Sequence, residues 1–135
     1  MANKESSIAY ENLNRRIFPG AGEYGIPRLE AETFDGNCEF VGFNYARGNC
    51  RNPEKKAVHF FIDDYQFDAL WRNVDRYVDK LRQFQYVLTP DFSTYTDFPK
   101  AIQIYNHYRK HWVGAYLQEY GCQVIPTISW STPES

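Results

Sequence analysis

From residue 57 onward, the apolar positions of this 135-residue chain fall into runs and periods that indicate their own elements. AVHFFI (57–62) and YVLT (86–89) are short, unbroken apolar runs, the pattern of strands covered on both faces. Between them Phe67, Leu70, Trp71, Val74, Tyr77, Val78, Leu81 and Phe84 recur at spacings of three and four, which draws one apolar face of a helix. Asp63 or Asp64 is its natural cap, since a carboxylate accepts from the unpaired amides of a first turn. Asp68 and Arg72 stand i,i+4 on its outer side, where such a pair contributes only about 0.2–0.5 kcal/mol. A second helix is predicted from about Pro99 to Tyr120, with Ala101, Tyr105, Tyr108, Trp112, Ala115 and Tyr116 as its stripe and Gly121 as its stop. QVIPTISW (123–130) is a third strand, which Pro126 keeps short, bulged or at an edge.

That order of strand, helix, strand, helix, strand requires crossovers and hence a parallel sheet. Upstream, CEFVGFNYA (38–46) alternates loosely and reads as one more strand, and RGNCRNPEKK after it reads as an exposed loop. Residues 1–36 show no sustained period and form an irregular arm, laid over the core by Tyr10, Ile17, Phe18 and Tyr24; residues 37–135 form a single α/β domain. The expected fold is therefore α/β: a small, three- to four-stranded, mainly parallel sheet with two long helices, half of a barrel or half of a doubly wound sheet. So few strands leave an edge that the arm, the 38–46 strand or a second copy must cover, which makes a homodimer an expectation.

Composition narrows the function classes. Aromatic residues are 18% of the chain, with eleven Tyr, ten Phe and three Trp, a surplus that suits interfaces as well as cores. A formal charge of −2 supplies no general attraction for nucleic acid, which is a conceivable but not favoured partner. Cys38, Cys50 and Cys122 are an odd set without a CxxC pair, which points away from a disulfide framework and from a zinc site. No leader-like or membrane-length apolar stretch occurs, so the expectation is a cytoplasmic protein of a bacterial host cell that engages no membrane.

Ligands of parallel α/β proteins bind beyond the carboxyl ends of the strands. Those ends carry Asp63, Asp64 and Tyr65 after the first predicted run, Asp91, Ser93 and Tyr95 after the second, and Ser129 and Trp130 after the third. Asp97, just before Phe98 and Pro99, is accounted for as an acid at a helix start. Asp64 and Asp91, with Ser93, are the candidate catalytic set: a carboxylate pair could do acid–base work or hold magnesium, and under no other reading is a cofactor expected. His107 and His111 have zinc-like i,i+4 spacing but no third ligand, and His59 reads as structural. Arg109 and Lys110 stand among rings in NHYRKHW, an arrangement that can hold single-stranded nucleic acid, although the rings fall on the predicted core stripe.

VHFFIDDYQF (58–67), LTPDFSTYTDFPKAIQIYNHYR (88–109) and VIPTISW (124–130) together resemble an uncharacterised family of phages, prophages and mobile elements, domain of unknown function 4417 (DUF4417). The resemblance spans roughly residues 25 to 130. It implies a phage or mobile-element habitat and brings no reaction with it. Its signature positions fall on Asp63, Asp64, Tyr65, Pro90, Asp91, Ser93, Tyr95, Asp97, Asn106, Arg109, Gly114, Pro126, Ser129 and Trp130. The family pattern runs on past the ISW motif, whereas this chain stops at TPES: either it is cut short or it is a natural half-length derivative, and in the second case binding is expected over catalysis. The leading expectation is a non-catalytic module that binds a host or phage protein, with inhibition of a host defence complex such as a CRISPR effector as its concrete form. Asp63, Tyr65, Tyr95, Asn106, Arg109, Trp112, Ser129 and Trp130 are the expected contact residues, the acids acting as mimics of nucleic-acid charge. A magnesium-dependent factor of phage DNA metabolism and a single-stranded nucleic-acid binder are the alternatives.

Overall fold

A computed structural model of the chain describes residues 15–30, 33–34, 36–90, 92 and 98–127. Four strands, β3 (Glu39–Gly42), β4 (Lys56–His59), β5 (Tyr86–Leu88) and β6 (Val124–Ile125), pair in chain order, and every pairing is parallel. The order never reverses. A doubly wound sheet reverses only at the switch point between its halves, so strands in chain order suit half of a barrel and half of a doubly wound sheet alike. Register explains the cohesion: Val41 faces Val58, Val58 faces Val87 and Val87 faces Val124, one row of β-branched side chains across all four strands.

The helices cover the valine face. The segment between β4 and β5 buries Phe67, Leu70, Trp71, Val74, Tyr77, Val78, Leu81 and Phe84, the full stripe read from spacing. It is not one continuous helix. A tight turn at Asp64–Gln66 leads into α2 (Asp68–Arg72) and α3 (Val74–Leu81), separated by Asn73, whose φ of −149° and ψ of 68° lie outside the helical region. Asp63 takes the cap position of the tight turn but makes no side-chain capping bond. The Asp68–Arg72 pair forms at 2.9 Å on the exposed side.

Two predicted strands are shorter than read. CEFVGFNYA leaves the sheet at Gly42 and coils into α1 (Phe43–Ala46), because Phe43 and Ala46 are the buried pair, a helical spacing. AVHFFI leaves it after His59: Phe60 turns into the core while Phe61 is 61% exposed. The second helix, α4 (Lys100–Glu119), falls where expected, with Gly121 past its end at φ +95°, the left-handed conformation that glycine adopts most readily. Its expected stripe holds only for the C-terminal half. In the N-terminal half Ala101, Ile102 and Tyr105 are exposed, whereas Gln103, Asn106 and Lys110 are buried, so that half is inverted.

The second face of the sheet buries Ala57, Tyr86 and Leu88 against Phe34, Cys38 and Ile125, with Phe34 edge-on to Tyr86 at 4.9 Å. The chain preceding β3 thus supplies cover for that face. The arm also contains a small antiparallel pair, β1 (Gly20–Ala21) and β2 (Ile26–Pro27). Phe18 anchors it as expected, but Ile17 and Tyr24 are 84% and 54% exposed; Tyr10 lies outside the described residues. Polar ties fix the arm to α4: the Trp112 indole N–H donates to the Arg16 carbonyl at 2.8 Å, and the Gln118 amide exchanges two 3.0 Å bonds with the Glu30 backbone. None of the three cysteines forms a disulfide; Cys122 is buried and the other two are half-buried.

Candidate functional site

The carboxyl ends of the strands gather side chains from four segments. β4 ends at His59, and the chain then exposes Phe61, passes Asp63 and enters the Asp64–Gln66 turn, on which Tyr65 is 76% exposed. His59 is held rather than offered: its Nδ1 accepts from the Phe61 amide at 3.2 Å, its ring stacks on Phe61, and burial lowers its pKa. β5 ends at Leu88 and continues into Thr89 and Phe92, both buried. Beyond β6, the Thr127 amide donates to Thr89 Oγ1 at 2.8 Å, and the two hydroxyls bond at 2.9 Å. From α4 the Lys110 ammonium donates to the Thr127 carbonyl at 3.2 Å.

Asp64, Tyr65, Asp68, Arg72, Phe92 and Arg109 line an open cleft of about 330 Å³. Of the expected site residues this unites Asp64, Tyr65 and Arg109. Asn106 stands behind Arg109 and accepts from its Nη2 at 2.5 Å. The Arg109 guanidinium lies 4.0 Å over Phe92, 5.1 Å from the Tyr105 ring and 5.6 Å from Trp71, a cation clasped by ring faces. A second arginine, Arg15 of the arm, lies 3.7 Å over the same Trp71 and 4.7 Å from Trp112. Burial lowers the pKa of Arg15, and Arg109 lowers it further, while Tyr105, Tyr108 and Asp75 act in the other direction. Asp91, Ser93, Tyr95, Asp97, Ser129 and Trp130 lie outside the described residues.

Trp112, an expected contact residue, and Lys110, named for the nucleic-acid alternative, are placed elsewhere. Trp112 is only 3% exposed: it packs edge-on to Trp71 at 5.5 Å and stacks on Tyr116 at 5.3 Å, so it is a core residue and not a surface anchor. Lys110 is 1% exposed and turned toward the strand ends, which removes it from a phosphate-contacting surface. His111 is drawn into a bond with the Pro27 backbone, and its pKa is lowered by burial first and by neighbouring Lys110 second. Among the described residues no three His, Cys, Asp or Glu side chains converge as metal ligands do.

Four cleft or flanking residues were not singled out as site residues. Asp68 and Arg72 were legible only as a surface pair. Phe92 sits between the two candidates Asp91 and Ser93, where its apolar character alone could have marked a floor for them. For Arg15 the sequence carries no signal, because its partner Trp71 is 56 residues away.

This geometry defines the class: a small parallel α/β protein with an open, arginine-bearing cleft at its strand ends. The chain belongs to the family described as Domain of unknown function (DUF4417), whose match covers residues 18–135. It is 49% identical over 128 residues to the Gene 1 protein of Mycobacterium phage L5, covering 93% of this chain and 56% of that protein. It is 38% identical over 133 residues to the Gene 1 protein of Mycobacterium phage D29, covering 93% and 47%. The chain thus spans about half the length of the curated relatives it matches. No solved structure matches it. No helix among the described residues is long and apolar enough to cross a membrane.

Proposed function

We propose that this phage-family protein is a non-catalytic binding module that engages a host or phage protein through the carboxyl-end rim of its sheet. The observation that carries the reading is the exposure of large aromatic side chains there: Tyr45 at 71%, just past β3, and Phe61 and Tyr65 at 61% and 76%, just past β4. Rings left in water beside a rim of polar groups are the composition of an interface core awaiting its partner, and aromatic anchors of that kind dominate binding energy when they are covered. Asp63 and Asp64 directly precede Tyr65 in the chain and give the surface an acidic side. The mycobacteriophage relatives support a habitat in which the partner is a bacterial or phage protein, and inhibition of a host defence complex such as a CRISPR effector is the concrete form of the reading.

The test pairs protection with binding. Phage plaquing is measured on hosts armed with defined defence systems, with the wild-type chain and with Phe61→Ala/Tyr65→Ala. Direct affinity is then measured for the purified effector of the system that is relieved. Relief by the wild type, together with a loss of affinity of about tenfold or more in the variant at unchanged folding, is expected. Absence of relief across all systems refutes the defence form. Relief by the variant equal to that of the wild type refutes the aromatic rim as the contact.

A further inference from the structure

The loop RGNCRNPEKK (47–56) carries Arg47, Arg51, Lys55 and Lys56 against one acid, Glu54, in a chain whose formal charge is −2. It runs from the end of α1 through a tight turn at Pro53–Lys55 to the start of β4, the end of that strand opposite the aromatic rim. The fold adds cations to it from α3. The Lys80 ammonium donates to the Gly48 carbonyl at 2.6 Å, the Arg47 guanidinium donates to the Tyr77 hydroxyl at 2.7 Å, and the Arg76 guanidinium lies 5.9 Å from the Tyr77 ring. Lys56 donates to Cys50 Sγ at 3.8 Å, and Cys50 follows Gly48 by two residues, which puts their Cα atoms within about 7 Å of each other. Each of these acceptors is neutral, a carbonyl, a hydroxyl or a thiol, so the bonds position the cations without cancelling their charge. Among the described residues none of the six cations forms an ion pair. Of the nearby acids, Asp79 pairs with Arg82 and the charge of Asp75 reaches Arg15 on the arm, which leaves Glu39, in register with Lys56, and Glu54. Arg47, Arg51, Lys55 and Arg76 are exposed, and Lys56 and Lys80 are half-buried.

We propose that this end of the molecule is a docking surface for the phosphate backbone of double-stranded nucleic acid. Cations brought together from a loop, a turn and a helix, with few anions of their own, fit a polyanion. The rings against Arg47, Phe43 and Tyr77, are buried, so they give unpaired bases no face to stack on. A duplex needs none, because its bases are stacked inside and its phosphates face outward; contact of this kind positions the protein without reading sequence. The acidic total of the chain does not oppose it, since Asp63, Asp64 and Asp68 stand past the other end of β4. The surface is separate from the aromatic rim, so either proposal can fail without the other.

Fluorescence anisotropy of the full chain with a labelled DNA duplex of mixed sequence decides it, repeated between about 50 and 200 mM salt. A single strand of the same length and a polyglutamate peptide serve as competitors. The duplex should bind at low salt, more tightly than either competitor, with a log–log salt slope of about −3 or steeper. Arg51→Gln and Lys55→Gln alter side chains that bond to nothing among the described residues, so both variants should fold as the wild type does. Each should weaken duplex binding about fivefold and flatten the slope by about one. Arg28→Gln, at an exposed arginine of the arm, should change neither. No binding at low salt, a flat salt titration, or either competitor bound as tightly as the duplex would each overturn the proposal. So would an unchanged slope in both Arg51→Gln and Lys55→Gln, or an equal change in Arg28→Gln.

Discussion

Gly114 offers the sharpest test of how α4 meets the arm and the strand ends. In an open helix, replacing glycine with alanine stabilises by about 1 kcal/mol, through a smaller loss of backbone freedom. Here a Cβ on residue 114 would meet Leu29 Cδ2 at 2.9 Å, Thr89 Cγ2 at 3.0 Å and Leu29 Cδ1 at 3.1 Å. Leu29 is a flexible side chain and can retreat. Thr89 cannot, because its hydroxyl accepts from the Thr127 amide at 2.8 Å and bonds the Thr127 hydroxyl at 2.9 Å, which fixes the methyl that faces the helix. Overpacking against a fixed wall costs about 1–3 kcal/mol. Set against the helix gain, Gly114→Ala should destabilise by about 1 kcal/mol, or about 3–5 °C in Tm for a chain of this size, and Gly114→Val by more. Thr89→Ser removes the obstructing methyl and keeps the hydroxyl, so in a Thr89→Ser background Gly114→Ala should become neutral or stabilising. Urea unfolding of the four proteins in the cycle measures the coupling directly. A Gly114→Ala variant that gains stability in the wild-type background would refute the close approach, and additive single and double variants would refute Thr89 as its cause.

Other expectations follow from burial. Burial pushes the Cys122 thiol up to about 11, so alkylation at pH 8 followed by mass spectrometry should label Cys38 and Cys50 well before Cys122, which should react only on unfolding. His59 and His111 both have pKa values lowered by burial, so below their ordinary value of about 6.5 the unfolded chain binds protons that the folded chain resists. The stability that they contribute is complete above that pH and is lost as pH falls through their folded values; His111→Gln should flatten the decline in urea-unfolding free energy between about pH 7 and pH 5. Gln118→Ala removes both bonds to Glu30 and should raise hydrogen exchange in the arm, at about 0.5–1.5 kcal/mol per bond, while leaving the sheet amides protected.

What could be read in advance was what depends on local spacing. The stripe from Phe67 to Phe84 was legible in full, because three-and-four spacing records which side of a helix meets the core regardless of what it meets. The strands of the valine row were legible as short apolar runs and loose alternation. The interruption at Asn73 was not, since Asn forbids no helix and nothing in the local sequence marks the break. The inverted half of α4 was misread because Gln103, Asn106 and Lys110 look solvent-facing until their partners are known: Gln103 donates to the Phe98 carbonyl before the helix, Lys110 donates to the Thr127 carbonyl beyond β6, and Asn106 accepts from Arg109. Arg15 and Trp112 carry the same lesson from the other side. A ring can be core or contact, and an arginine can be surface or stack, according to a partner that lies far along the chain.

The inverted half of α4 also explains why the cleft has a defined shape. Thr89, Gln103, Asn106 and Lys110 are buried polar residues, and all four belong to α4 or to the strand end beneath it. Core packing would be served as well or better by apolar side chains, so polar burial at one place argues for a requirement of geometry. Lys110 joins α4 to the end of β6 through Thr127, and Thr127 joins β6 to β5 through Thr89. Arg109 therefore projects from a helix turn whose neighbour on one side, Lys110, is locked to the strand ends and whose neighbour one turn back, Asn106, is bonded to its own guanidinium. With Phe92 and Tyr105 against its faces, that side chain has lost its rotamer freedom before any ligand arrives, and the ordering cost that a flexible surface arginine incurs on binding is already met within the fold.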